Sequence, residues 1–281
     1  MTYSSEISRR SPGLFIFLLD QSRSMSHKLG GSDRSKAQEA CDAVNRQIYE
    51  LIYRCTKTDG VRDYFDIGII GYGFKADTAD SLLKEGTLVP ISKLSETPLR
   101  MERRTKKMLD PEGNEMETEF EFPIWFEPVA NSNTPMVKAL KLAQSWLDDW
   151  IAEHTNSFPP VLINITDGAA TDGDPLDPSV ELMKLETGDG KILLWNCHLS
   201  ESKDQKTLIF PDSDGVLPTA DKFAKQLFDM SSVLPEPFIR AAEDRQLVVS
   251  PSSRGYAYNA GLDELIELLD IGTRAPSSNL Q

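Results

Sequence analysis

Leu14-Phe15-Ile16-Phe17-Leu18-Leu19 is apolar at every position, and Asp20-Gln21-Ser22-Arg23-Ser24 follows it without a break. A continuous apolar run of this length predicts a strand covered on both faces, as in parallel sheets. The run ends on a carboxylate, and a charge at the end of a buried strand is costly unless something pairs with it. In an extended loop, residues two apart project to one side. Asp20, Ser22 and Ser24 therefore offer one carboxylate and two hydroxyls to a common point.

A second run, Val161-Leu162-Ile163-Asn164-Ile165-Thr166, stops in the same way at Asp167-Gly168. Side by side in the middle of one sheet, with chain growth reversing between them, the two strands would flank a topological switch point. Ligands bind there in open α/β sheets, beyond the carboxyl ends of the strands. Two carboxylates brought to such a place repel, and a divalent cation is the simplest remedy. Hard oxygen donors without His or Cys select Mg²⁺, Mn²⁺ or Ca²⁺ over Zn²⁺. Mg²⁺ takes six ligands in near-octahedral geometry and usually keeps water or an outside ligand.

Between and beyond these two runs, helices alternate with strands. Ala37, Ala40, Cys41, Val44, Ile48, Leu51, Ile52 and Cys55 recur at helical spacing and predict a helix over about 33–54. A strand is predicted at 64–72, with a weaker one at 86–91 beside it as an edge. The stripe Met136, Ala139, Leu140, Ala143, Trp146, Leu147, Trp150, Ile151 predicts a helix over 134–153, with Pro135 suited to its first position. Further helices are predicted at 177–186, 219–230, 236–244 and 262–271, and strands at 191–199 and 256–259. This order predicts an α/β fold: a doubly wound, mostly parallel central sheet with helices on both faces and one antiparallel edge strand.

Residues 98–123 read as an inserted β-hairpin. Glu115, Glu117, Glu119 and Glu121 alternate with Met116, Thr118, Phe120 and Phe122 at the period of a strand. Asp110-Pro111-Glu112-Gly113-Asn114 supplies the turn. Pairing would set Arg104 and Lys106 opposite glutamates, an internally neutralised face. The reading gives one domain over 13–271, between a flexible N-terminus (1–12) and a flexible polar tail (272–281).

Composition narrows the function. The 281 residues carry 30 Lys+Arg against 44 Asp+Glu, a net charge of −14, and no long basic stripe. Such a surface disfavours nucleic acid and anionic membranes as partners. Three separated cysteines, Cys41, Cys55 and Cys197, do not suggest a disulfide framework. A reduced compartment, the cytoplasm, is the expectation, since no signal-peptide or membrane-spanning pattern is seen. His27, His154 and His198 have no mutual spacing that suggests zinc. Asp172 and Asp174 read as a solvated acidic loop.

The two strand-end motifs, with Thr134 in Asn131-Ser132-Asn133-Thr134-Pro135, resemble the von Willebrand factor type A (VWA) family with an intact metal-ion-dependent adhesion site. That family's pattern is D-x-S-x-S after the first strand, a Thr in a later loop and an Asp after the fourth strand. The resemblance implies that Asp20, Ser22, Ser24, Thr134 and Asp167 hold Mg²⁺, with Mn²⁺ or Ca²⁺ as alternatives. It implies Ser22 and Ser24 as direct ligands, the other three binding directly or through water, and a sixth position left for a partner protein's Asp or Glu. It also implies a non-enzymatic protein-interaction module. The stand-alone format resembles bacterial tellurite-resistance-type A domains, linked with kinases and phosphatases in signalling or stress response.

Singly, these residues have commoner roles: a serine after a strand turns or caps the chain, and an aspartate caps the next helix. The competing class is a metal-dependent hydrolase or phosphotransferase with Asp20 as nucleophile. Phosphatases that begin this way need a second Asp two residues on as general acid, and position 22 is Ser. Neither a nucleotide-binding G-x-x-x-x-G-K-[ST] loop nor a G-x-S-x-G elbow occurs.

Overall fold

The computed structural model describes residues 3–109, 115–202, 206–218 and 221–277. Strand β1 (Gly13–Asp20) leads to helix α1 (Lys36–Cys55), the short pair β2 (Thr56–Lys57) and β3 (Gly60–Val61), and β4 (Phe65–Tyr72). Strands β5 (Ala79–Ser81) and β6 (Leu88–Pro90), helix α2 (Ile91–Glu96), and strands β7 (Arg100–Leu109) and β8 (Glu115–Ile124) follow. Next come α3 (Met136–Glu153), β9 (Val161–Thr166), α4 (Leu176–Leu182), β10 (Leu193–Leu199) and β11 (Leu208–Ile209). Helices α5 (Lys222–Asp229) and α6 (Glu236–Glu243), strand β12 (Tyr256–Ala260) and helix α7 (Leu262–Ser277) complete the chain.

The central sheet runs β11-β12-β10-β9-β1-β4-β5, with β6 also paired to β4. Strands β4, β1, β9, β10 and β12 are parallel; β5 and β6 at one edge and β11 at the other are antiparallel. The fold is thus mixed α/β, with a mostly parallel sheet between helices. Strand β1 shows why. Phe15, Phe17 and Leu19 point into a core shared with α1, α2, α6 and α7, while Leu14, Ile16 and Leu18 point into a second core shared with α3, α4 and α5. A slip of one residue would exchange these sets and carry Asp20 to the wrong face, so two buried faces fix the register. Each Leu, Ile or Phe buried in this way contributes about 1.5–3 kcal/mol.

The β7–β8 hairpin stands apart from the central sheet. Its register differs by one residue from the sequence expectation: Arg104 lies opposite Phe120 and Lys106 opposite Thr118, while Arg103 faces Glu121 and Lys107 faces Glu117. Arg104 turns toward the body instead, its guanidinium 3.9 Å from the Phe122 ring centre and ion-paired with Asp42 of α1. The turn predicted at 110–114 lies outside the described residues. The stem is locked by Asn45 of α1, whose Oδ1 accepts from Trp125 N at 2.8 Å and whose Nδ2 donates to Phe126 O at 3.2 Å.

At both ends the described residues make contacts with the body of the fold. Ile7 is buried, the Tyr3 ring meets Phe158 edge-on, and the Asp189 carboxylate accepts from Ser4 N and Ser5 N. Helix α7 continues past Ile271, because buried Thr273 returns its hydroxyl to Leu269 O and takes a bond from Gln47 of α1. Pro135 precedes the first residue of α3 rather than occupying it.

Asn45→Ala strands the Trp125 amide in the interior. Urea denaturation should show a loss of about 2–3 kcal/mol, and Trp125 fluorescence should report the hairpin stem loosening first.

Candidate metal centre

Strands β1 and β9 lie in parallel register with Leu19 against Ile165, so Asp20 and Thr166 end side by side. Thr166 Oγ1 donates to Asp20 Oδ2 at 2.7 Å, and Ser22 N donates to Asp20 Oδ1 at 2.8 Å. The loop then turns through a short 3-10 segment, Arg23–Ser26. Ser22 Oγ and Ser24 Oγ stand 3.1 Å apart, and Ser24 Oγ donates to Asp167 Oδ1 at 2.7 Å. Five residues with oxygen-bearing side chains, from two strand ends, are therefore in one connected cluster.

Among the described residues, Thr134 makes no hydrogen bond to these side chains; the loop that carries it is held beside the 20–24 loop by backbone pairing. Asn131 N donates to Gln21 O at 2.8 Å, and Arg23 N donates to Ser132 O at 2.9 Å. Ser132 N in turn donates to Gly73 O at 3.0 Å. Gly73 has φ +97°, and a Cβ there would fall 2.3 Å from Asn133 O and 3.0 Å from Ser22 N. Only glycine lets the end of β4 pass beneath both loops. From the other side, Thr134 N donates to Thr171 Oγ1 at 3.0 Å and Thr171 N to Thr134 O at 2.9 Å. Thr134 is buried between these loops.

Asp172 and Asp174 are structural rather than freely solvated. Asp172 accepts from Val137 N and Lys138 N at the start of α3, and Asp174 accepts from Leu176 N at the start of α4. Carboxylates at helix starts are favourable because unpaired N–H groups point there. Asp172 holds the 167–174 loop against the start of α3, and Asp174 ties it to Gln226 of α5.

Burial raises the Asp20 carboxyl to about 6, opposed by its bonds from Ser22 and Thr166 and reinforced by nearby Asp167. Asp167 Oδ2 is buried without an aligned hydrogen bond, and the buried Lys36 ammonium stands 2.5 Å from it. Lys36 also reaches Glu201 at 3.0 Å, which pairs with His27 at 2.8 Å. The sequence reading missed Lys36, Thr166, Gly73 and Glu201. A lysine opening a helix is an ordinary surface pattern, and only burial sets this one apart.

Beneath the cluster a buried polar chain crosses the sheet. Tyr72 Oη donates to Asn164 Oδ1 at 2.8 Å, Asn164 Nδ2 to Asn196 Oδ1 at 2.9 Å, and Asn196 Nδ2 to Ser231 Oγ at 3.0 Å. With every link satisfied, such a network stiffens the platform rather than weakening it.

The donor set tests whether a cation fits. Among the described residues no three His, Cys, Asp or Glu side chains form a metal-binding group. The cluster here is instead two carboxylates and neighbouring hydroxyls, with the second Asp167 oxygen facing the Lys36 ammonium. That set suits a hard divalent ion.

No protein-family model and no curated protein matches the chain. Solved structures match in fold. The pilus adhesin SpaC from Lactobacillus rhamnosus GG is similar at TM-score 0.51 and 12% identity, over 95% of this chain and 31% of its own. The PilB minor pilin from Streptococcus sanguinis matches at TM-score 0.45 and 11% identity, over 95% and 62%. The vWF domain of the type V pili tip protein Mfa5 from Porphyromonas gingivalis matches at 0.31 and 15%, over 57% and 38%. The chain spans less than two thirds of each. The SpaC likeness supports the α/β architecture.

Two outcomes follow. The folded state holds the Asp20 proton more tightly than the unfolded chain, so ionising it removes stability as pH rises from about 4 through 6. In EDTA, Asp20→Asn should therefore be more stable than wild type at pH 8 by about 2–3 kcal/mol, with the gain gone at pH 4 in matched denaturation curves. Gly73→Ala should push the 131–134 loop off the 20–24 loop. Far-ultraviolet circular dichroism should stay native while amide exchange at Asn131 and Ser132 accelerates.

Proposed function

We propose that the chain is a metal-ion-dependent protein-interaction module, with Asp20, Ser22, Ser24, Thr134 and Asp167 holding Mg²⁺. The observation that carries this reading is the cluster itself: Ser24 bonded to Asp167 across 143 positions of sequence, with Ser22 and Asp20 in the same network. When bound, the ion supplies a Lewis-acid position that a partner's Asp or Glu completes. Everything else is the work of the chain. Asp20 is fixed by Ser22 and Thr166 and carries negative charge to the rim of the sheet. Ser22 and Ser24 present hydroxyls from one short turn, and the Gly73 crossing keeps the Thr134 loop against them.

Charge gives the cation a second role. At a net charge of −14, the surface repels an acidic partner unless a positive centre is installed. The neighbour SpaC is described as a pilus adhesin, which accords with an interaction role. We further propose a place in a bacterial signalling or stress-response system, with a kinase or phosphatase of that system as the partner and the cytoplasm as the compartment. Among the described residues no helix is long and apolar enough to cross a membrane. The hydrolase alternative is weakened at position 22, where Ser22 stands in place of the aspartate that would act as general acid.

Thermal unfolding should rise with added MgCl₂ or MnCl₂, because a ligand selective for the folded state must stabilise it. Asp20→Ala should abolish that rise while keeping the fold. Thr134→Ala should weaken capture of the partner more than it lowers the melting temperature. A wild-type protein with no thermal response to either cation, or pulldowns indifferent to EDTA, would refute the reading.

A further inference from the structure

Lys36 is the first residue of α1, a place where a lysine is poorly suited, because the partial positive charge of a helix lies at that end. Burying its ammonium adds a second cost. Two acids of different character offset both. Asp167 is enclosed, its side chain 1% exposed, and its Oδ2 lies 2.5 Å from Nζ. Glu201 is at the surface, 56% exposed, and lies 3.0 Å from the same nitrogen. The ammonium thus sits between the interior of the cluster and its rim. The other Asp167 oxygen is held by Ser24, which belongs to the same set of proposed ligands.

We propose that Lys36 is a tethered counter-ion that competes with the divalent cation for Asp167 and moves toward Glu201 when the cation enters. The proposal rests on the metal reading above. A doubly charged ion and an ammonium on one enclosed carboxylate repel strongly, because little water separates them. The flexible four-carbon stem of lysine allows the head group to shift while the helix stays in place. Glu201 is already within contact of that head group, so the displaced charge has a partner waiting. Without the cation, Lys36 keeps Asp167 from standing as an unpaired buried charge. With it, the displaced ammonium takes over Glu201, which otherwise shares its charge with His27. Metal occupancy would then be felt at the 200–202 loop, on the surface where a partner arrives.

Isothermal titration with MgCl₂ and with MnCl₂ on the full chain tests this, using wild type, Lys36→Met, Glu201→Gln and the double variant. Lys36→Met should bind the cation about tenfold more tightly or better. Glu201→Gln should bind several-fold more weakly, and its effect should shrink sharply in the double variant, where no ammonium needs the acceptor. In EDTA, Lys36→Met should melt lower than wild type, and Mg²⁺ should restore it by a larger increment than wild type gains. If Lys36→Met unfolds without metal, refolding on addition of Mg²⁺ is the expected result. Wild-type binding that is equalled or weakened in Lys36→Met overturns the counter-ion while leaving the metal centre intact. So does a Glu201→Gln effect that persists undiminished in the double variant. Absence of binding by all four proteins overturns the metal centre, and this proposal with it.

Discussion

Two carboxylates, Asp20 and Asp167, stand just beyond the carboxyl ends of adjacent central strands, largely cut off from water, and the surroundings are arranged to tolerate them. Strands cannot be buried on both faces and also leave a charge at their ends without an answer to that charge. Here the answers come in layers. Backbone and hydroxyl donors satisfy Asp20, a serine and an ammonium meet Asp167, and two neighbouring serines supply further oxygens. The same constraint explains why the loops that meet at this rim are stitched together through backbone bonds rather than left to move independently.

The cluster is supported from below and from the side. The Tyr72–Asn164–Asn196–Ser231 chain ties β4, β9 and β10 together with the turn after α5, so the strand ends that carry the site cannot shift separately. Helix α1 joins several tasks. Its capping box, Ser35 with Gln38, fixes the start and so the place of Lys36; one turn on, its apolar stripe packs on β1; at Asn45 it grips the hairpin stem. Helix α1 thus reaches from the oxygen cluster to the hairpin.

Much of this was legible in the residues. The unbroken apolar run of β1 and its abrupt stop at Asp20 announced both the buried parallel strand and the site at its end, and Val161 to Asp167 repeated the signal. Those patterns are local. What stayed hidden depends on three-dimensional company. Lys36 reads as an ordinary charged residue until burial shows that it faces Asp167. Thr166 reads as the last strand position until register sets it against Asp20. The hairpin was visible as a period of two, but its register was not, because Arg104 is drawn to Asp42 of α1 and over the Phe122 ring rather than to a glutamate across the strand. The contacts at the ends were hidden for a similar reason: Asp189 and Gln47, which make them, lie far away in sequence.

Anomalous diffraction from crystals grown with MnCl₂ tests the central claim most directly, since it locates the ion without reference to stability or partners. The expected result is a single strong manganese peak at the carboxyl ends of β1 and β9, with Ser22 Oγ and Ser24 Oγ in its coordination shell and Thr134, Asp20 and Asp167 around it. A map with no peak at that rim, or with manganese bound only to surface carboxylates elsewhere, would contradict a metal centre built from these five side chains.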